Sequence, residues 1–100
     1  MDTIIPNVTT DDIQRICRKY SVRELGVFGS VSRGESRPGS DVDILIEFED
    51  GAQIGYTKFF ELNEELAEIS KSSVDLVTKR SLRSPLREHV LGEVKVLYAS

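Results

Sequence analysis

The sequence predicts a single α/β domain spanning residues 1–100: a small mixed β-sheet of about four strands with helices packed mainly on one face. Two features predict it. Short apolar runs at Val22–Phe28, Asp41–Phe48, Val74–Val77 and Val94–Tyr98 have the length and composition of strands. Between them, apolar residues recur at helical spacing rather than alternating. One hundred residues can bury a core that folds alone and leave little room for a second domain, and no repeat, linker or low-complexity stretch divides the chain.

In chain order, Thr9 or Thr10 followed by Asp11 and Asp12 reads as a helix start, after which Ile13, Ile16, Cys17 and Tyr20 share one face. Cys17 is therefore read as core, with no basic partner nearby to activate its thiol. Val22 to Phe28 is the first strand and Asp41 to Phe48 the second, closed by a turn at Glu49-Asp50-Gly51. A helix from Ile54 to about Ser70 places Phe59, Leu62, Leu66 and Ile69 inward and Glu61, Glu64, Glu65 and Glu68 largely outside. Tyr56, Phe59 and Phe60 could form a nucleobase or partner surface, although aromatics at this spacing favour the core. Val74 to Val77 is the third strand. After it come the basic residues Lys79, Arg80 and Arg83, which either help hold an anion or partner or are simply solvated. Ser84-Pro85 starts a last helix with proline at its first position, buried through Leu86, Val90 and Leu91 and ended by Gly92, before Val94 to Tyr98 closes the sheet. His89, the only histidine, has no second ligand near it in sequence.

The chemistry concentrates between the first two strands. Gly29-Ser30 is followed by ten residues and then Asp41-Val42-Asp43. A glycine at a strand end can turn sharply and let the backbone approach a phosphate oxygen. Ser30 then offers a hydroxyl and an N–H, and if it opens a helical turn its unpaired amides face the anion. Arg33 and Arg37 either add positive charge or sit in solvent; Arg33 and Ser40 complete the candidate nucleotide-binding set with Gly29 and Ser30. A Walker-type phosphate loop is excluded, because the required Lys and Ser or Thr do not follow.

On a strand, Asp41 and Asp43 project from one face while Val42, Ile44, Ile46 and Phe48 face the other. Two adjacent carboxylates repel unless a cation joins them, and hard oxygen ligands suit Mg2+ or Mn2+. Two such ions activate an attacking oxygen and stabilise a leaving pyrophosphate during displacement at an α-phosphorus. Asp75, a charge centred in an apolar strand run, is the candidate third acid, to hold and polarise the attacking hydroxyl; otherwise it is an edge-strand residue facing water.

These residues resemble the DNA polymerase beta-type nucleotidyltransferase superfamily, and within it the minimal nucleotidyltransferase group, over nearly the whole chain. The resemblance implies the nucleotidyltransferase fold, a Gly29-Ser30 turn binding a nucleoside triphosphate, and Asp41, Asp43 and Asp75 binding magnesium. It also implies transfer of AMP from ATP to a hydroxyl, and a role as the antitoxin that modifies a tyrosine of a HEPN-domain ribonuclease toxin. A chain this short fits a reaction whose acceptor arrives on another protein, in a homo- or hetero-oligomer.

Composition narrows the alternatives. A net charge of −4, from 13 basic and 17 acidic residues, argues against long nucleic acid as a substrate. A lone cysteine forms no internal disulfide, no apolar run reaches membrane-spanning length, and no signal peptide is evident, so the expected location is cytoplasmic. Two other functions remain open: a non-catalytic module that neutralises a partner by contact, and nucleotidylation of a small molecule such as an aminoglycoside.

Overall fold

The computed structural model describes residues 1–35, 37 and 40–100. Part of the expected loop at 35–40, namely Ser36, Pro38 and Gly39, lies outside the described residues. The elements run α1 (Thr10–Lys19), β1 (Val22–Phe28), β2 (Val42–Phe48), α2 (Tyr56–Ser70), β3 (Val74–Thr78), a 3-10 turn (Lys79–Ser81), α3 (Leu86–Glu93) and β4 (Lys95–Ala99).

Helix α1 begins in a capping box. Thr9 Oγ1 accepts from the Asp12 N–H at 3.1 Å and the Asp12 carboxylate accepts from the Thr9 N–H at 3.1 Å. Asp11 and Asp12 in the first turn and Arg18 and Lys19 in the last complement the helix dipole. The four strands form one mixed sheet in the order β3-β2-β1-β4. β1 pairs antiparallel with both β2 and β4, whereas β2 and β3 run parallel. A parallel pair needs a long crossover, which α2 supplies.

Two cores cover the sheet. On one face, Ile13, Ile16 and Cys17 of α1 and Leu62 and Leu66 of α2 pack against Leu25, Val27, Val42, Ile44, Ile46 and Leu76. On the other, Leu82 and Val90 meet Leu45, joined by Phe28, Val77, Leu91 and Val94. Helices α1 and α2 thus lie on one face, as expected, and α3 takes part of the opposite, acid-bearing face. Gly26 makes room for this return of the chain: a Cβ there would come within 2.7 Å of Val94 and 3.0 Å of the Lys95 carbonyl. Burial pushes the Cys17 thiol up to about 12, so it is an inert core group.

Several local expectations change. Tyr56 and Phe60 are exposed at 96% and 64%, because α2 buries only the narrow stripe Leu62, Leu66 and Ser70, with Phe59 and Ile69 half-buried beside it. Glu65 turns inward, where it accepts from Lys19 Nζ at 3.2 Å. Pro85 stands before the first helical residue of α3, Leu86 is exposed, and Gly92 lies inside the helix, which ends at Glu93. The packing of Val90, Leu91 and Val94 holds the helix through its glycine. Among the described residues, no helix is long and apolar enough to cross a membrane.

Leu66→Ala, at a site 1% exposed, should cost about 2–5 kcal/mol in chemical denaturation. Thr9→Ala should cost about 1 kcal/mol through loss of the cap, and Phe60→Ala should stay within about 0.5 kcal/mol. A large loss at Phe60 would mean that α2 is rotated relative to this packing.

Candidate active site

Parallel register places Asp43 directly beside Asp75, while the antiparallel register sets Phe28 opposite Asp43 and so brings the following Gly29 to the same end of the sheet. Asp41 immediately precedes β2 and is exposed, Asp43 is half-buried and Asp75 is exposed. All three acids and the Gly29-Ser30 turn therefore lie toward one end of the sheet. Asp43 carries the electrostatic load. Burial raises its carboxyl above the ordinary 3.8, followed by the charges of Asp75, Asp41 and Glu93, against which Arg33 is the one lowering influence.

Gly29 adopts φ +71°, a left-handed conformation in which a side chain is strained. It also has no room for one, because a Cβ would overlap Asp43 Oδ2 and come within 3.2 Å of its carboxyl carbon. The glycine thus serves both the turn and the seat of the neighbouring acid. Beyond it the chain coils tightly: the Arg33 N–H donates to the Gly29 carbonyl at 3.2 Å and the Glu35 N–H to the Ser30 carbonyl at 2.8 Å. Ser32 Oγ also donates to the Gly29 carbonyl, at 2.9 Å. Ser30 therefore opens a helical turn rather than a full helix.

Arg33 belongs to this turn. Its Nε donates to Glu35 at 2.8 Å and its Nη1 to Glu93 at 3.0 Å. Glu93 also accepts from the Gly29 N–H at 2.7 Å, which makes it a site residue that the sequence did not reveal. Ser40 is half-buried, its hydroxyl accepting from the Arg37 N–H at 3.0 Å, so it supports the loop before Asp41. Arg37 is exposed.

The basic cluster after β3 serves local structure. Lys79 pairs with Glu24 at 3.7 Å, Arg83 Nη1 donates to the Arg80 carbonyl at 2.8 Å, and Arg87 Nη1 donates to the Lys79 carbonyl at 2.7 Å. Arg80 lines a groove of about 470 Å³ with Thr78, Ile46, Phe48 and Asp50, at the opposite end of β2 from the acids. His89 is exposed and 3.8 Å from Glu93.

The donor set fits a hard divalent cation. Three carboxylates crowd one strand pair, and after burial it is the charges of Asp75, Asp41 and Glu93 that raise the Asp43 carboxyl, charge that a cation would offset. Among the described residues no three such side chains already converge as ligands, so the aspartates would have to rotate toward a common centre.

Residues 13–97 match the family described as nucleotidyltransferase domain. A protein adenylyltransferase, MntA, from Thermococcus cleftensis is 43% identical over 90 residues, covering 90% of this chain and 89% of the relative. A solved toxin-antitoxin complex with AMP-PNP contains a chain 28% identical, with a TM-score of 0.76, covering 93% of this chain and 75% of that one. Another, a tri-AMPylated HEPN toxin of Shewanella oneidensis in complex with its MNT antitoxin, matches with a TM-score of 0.66 and 27% identity over 91% of this chain and 70% of that one. With the Gly29-Ser30 turn, the aspartate pair and the four-stranded sheet all in place, the chain belongs to the nucleotidyltransferase domain family, in its minimal group, and is a nucleotidyltransferase.

Proposed function

We propose that this protein transfers AMP from ATP to a tyrosine hydroxyl of a HEPN-type toxin and so silences it in the cytoplasm. The observation that carries the reaction is the side-by-side placement of Asp43 and Asp75 at the Gly29-Ser30 turn. The protein adenylyltransferase relative and the AMPylated toxin complex support the choice of nucleotide and acceptor.

In this reading Gly29, Ser30 and Arg33 hold the triphosphate, with Ser40 bracing the loop that leads to Asp41. The acceptor oxygen attacks the α-phosphorus as the bond to the bridging oxygen breaks, so that pyrophosphate leaves with the bonding electrons. The hydroxyl proton passes to a carboxylate, for which Asp75 is the candidate. Magnesium, as two ions, or manganese in its place, held by Asp41, Asp43 and Asp75, would supply activation of the attacking oxygen and charge neutralisation on the leaving group.

The direct test is incubation with α-labelled ATP and magnesium, with and without a HEPN-type partner encoded beside it, followed by intact-mass analysis of both proteins. Label on the partner, removed by Tyr→Phe substitution in that partner, is the expected result. A stable complex with no label would favour neutralisation by contact, for which the exposed Tyr56 and Phe60 supply an apolar surface. Label on a small alcohol without the partner would favour a small-molecule acceptor.

Asp43→Asn should lower transfer by at least about 100-fold, since the pair then loses one charged ligand. It should leave the fold intact and stabilise it at neutral pH. Because the Asp43 carboxyl is raised in the folded state, its favourable contribution is complete below the unfolded value near 3.8 and is lost as pH rises through the folded value. Urea melts should therefore show the Asn variant gaining on the wild type between acidic and neutral pH; a constant difference would mean that neither burial nor the neighbouring charges raise the Asp43 carboxyl. Gly29→Ala should abolish transfer and destabilise by about 1–3 kcal/mol. Gly34→Ala, with a similar φ of +72° and nothing within 4 Å, should show only the smaller backbone cost.

A further inference from the structure

Glu93 is the last residue of α3, yet it contacts the turn 64 residues earlier. One carboxylate reaches two distinct groups there. Oε1 accepts from the Gly29 N–H at 2.7 Å, and Arg33 Nη1 donates to Oε1 and Oε2 at 3.3 and 3.0 Å. The Glu93 side chain is only 19% exposed, and its helix is fixed to β2 through the packing of Val90 and Leu91 around Leu45. A hydrogen bond from a backbone amide to a carboxylate is charge-assisted and stronger than a neutral one. The Gly29 N–H first, and then Arg33, hold the Glu93 carboxyl below the ordinary 4.5.

This contact is costly for the site, since Glu93 adds a negative charge to those already raising the Asp43 carboxyl. In return it fixes geometry. The guanidinium is planar, so Glu35 on Nε and Glu93 on Nη1 together set the plane in which the remaining Nη2 lies. The Gly29 N–H ties the strand end to the same carboxylate, so the turn, the arginine and the Asp43 strand become one rigid unit.

We propose that Glu93 is a positioning residue for adenylyl transfer: by gripping the Gly29 N–H and Arg33 together, it presets the turn that receives the triphosphate of the nucleotide. This rests on the AMP-transfer reading above. Its effect should appear in nucleotide affinity more than in the chemical step, because it acts through the turn and Arg33, which the reading above assigns to the triphosphate rather than to the acceptor.

The test compares wild type, Glu93→Gln and Glu93→Ala for AMP-PNP binding with magnesium by calorimetry, and for Tm, KM and kcat in transfer to the toxin partner. Glu93→Ala should weaken AMP-PNP binding and raise the KM for ATP at least tenfold with a smaller change in kcat. Glu93→Gln keeps an oxygen for the Gly29 N–H but loses the charge that orients Arg33, so it should fall between; being isosteric, it also carries the test should the alanine variant fail to fold. Arg33→Ala should weaken binding in the wild type and do so less than twofold in the Glu93→Ala background. A fall in Tm with affinity unchanged would reduce Glu93 to a structural tie and overturn the proposal. Tighter binding would overturn it too, making Glu93 a competitor of the triphosphate. A wild type that neither binds nor transfers would remove the AMP-transfer reading and this inference together, whereas an active wild type with unaffected variants removes the inference alone.

Discussion

Asp43 and Asp75 are neighbours only because β2 and β3 pair parallel and in register, with Val42 opposite Val74 and Ile46 opposite Thr78. A slip of one residue would turn Asp75 to the other face and bury it against α1 and α2, where Leu76 now packs. The register is therefore enforced by burial rather than by the acids, which repel one another. Val42, Ile44 and Ile46 are each 1% exposed, and Leu62 and Leu66 of the crossover helix close over the same core. The Val42 N–H donating to the Ser73 carbonyl at 2.9 Å pins the start of the pair. Hydrophobic packing on one face thus supplies the free energy that holds like charges together on the other.

The acid face is not left bare. Leu45 and Val77 alternate with Asp43 and Asp75 on it, and the segment after β3 folds back so that Leu82 and Val90 cover the apolar pair. This second core is small, but it decides where α3 ends. Gly26 admits Val94, the helix stops one residue earlier at Glu93, and the carboxylate arrives at the Gly29 N–H. The closing strand β4 then pairs with β1, the strand that leads into that turn. The last residue of α3 and the strand β4 are in this way both tied to β1 and the turn that follows it.

What the sequence disclosed about the site was whatever has a short period or a fixed spacing. Alternation separates Asp41 and Asp43 from Val42, Ile44 and Ile46 without any tertiary knowledge, and a charge inside Val74 to Val77 stands out against its neighbours. Thr9 and Asp12 announce α1 through local hydrogen bonds alone. Glu93 was invisible, because its partners are 60 and 64 residues away and nothing near it in the chain marks a helix end as a site. Gly92 misled for the same reason: glycine stops a helix only where tertiary packing does not hold it. The aromatic residues of α2 misled because period fixes a face but not its width. Burial on α2 narrows to a stripe at four-residue spacing, which leaves Tyr56 and Phe60 in solvent.

Charge balance then constrains how the nucleotide enters. Asp41, Asp43, Asp75 and Glu93 surround a turn at which Arg33 is the cation acting on Asp43, and Arg33 already answers Glu35 and Glu93. A bare triphosphate, strongly negative itself, meets a net repulsive field there; the Gly29 N–H is already given to Glu93, and the Ser30 amide offers only partial charge against it. The basic residues after β3 do little to neutralise that field, since Lys79 and Arg83 are turned to local partners and Arg80 lies toward the far groove. Nucleotide affinity should therefore depend on divalent cation more steeply than on ionic strength. In the proposed reaction the Gly29-Ser30 turn would supply direction and fit, and a divalent cation held by the aspartates would supply the charge.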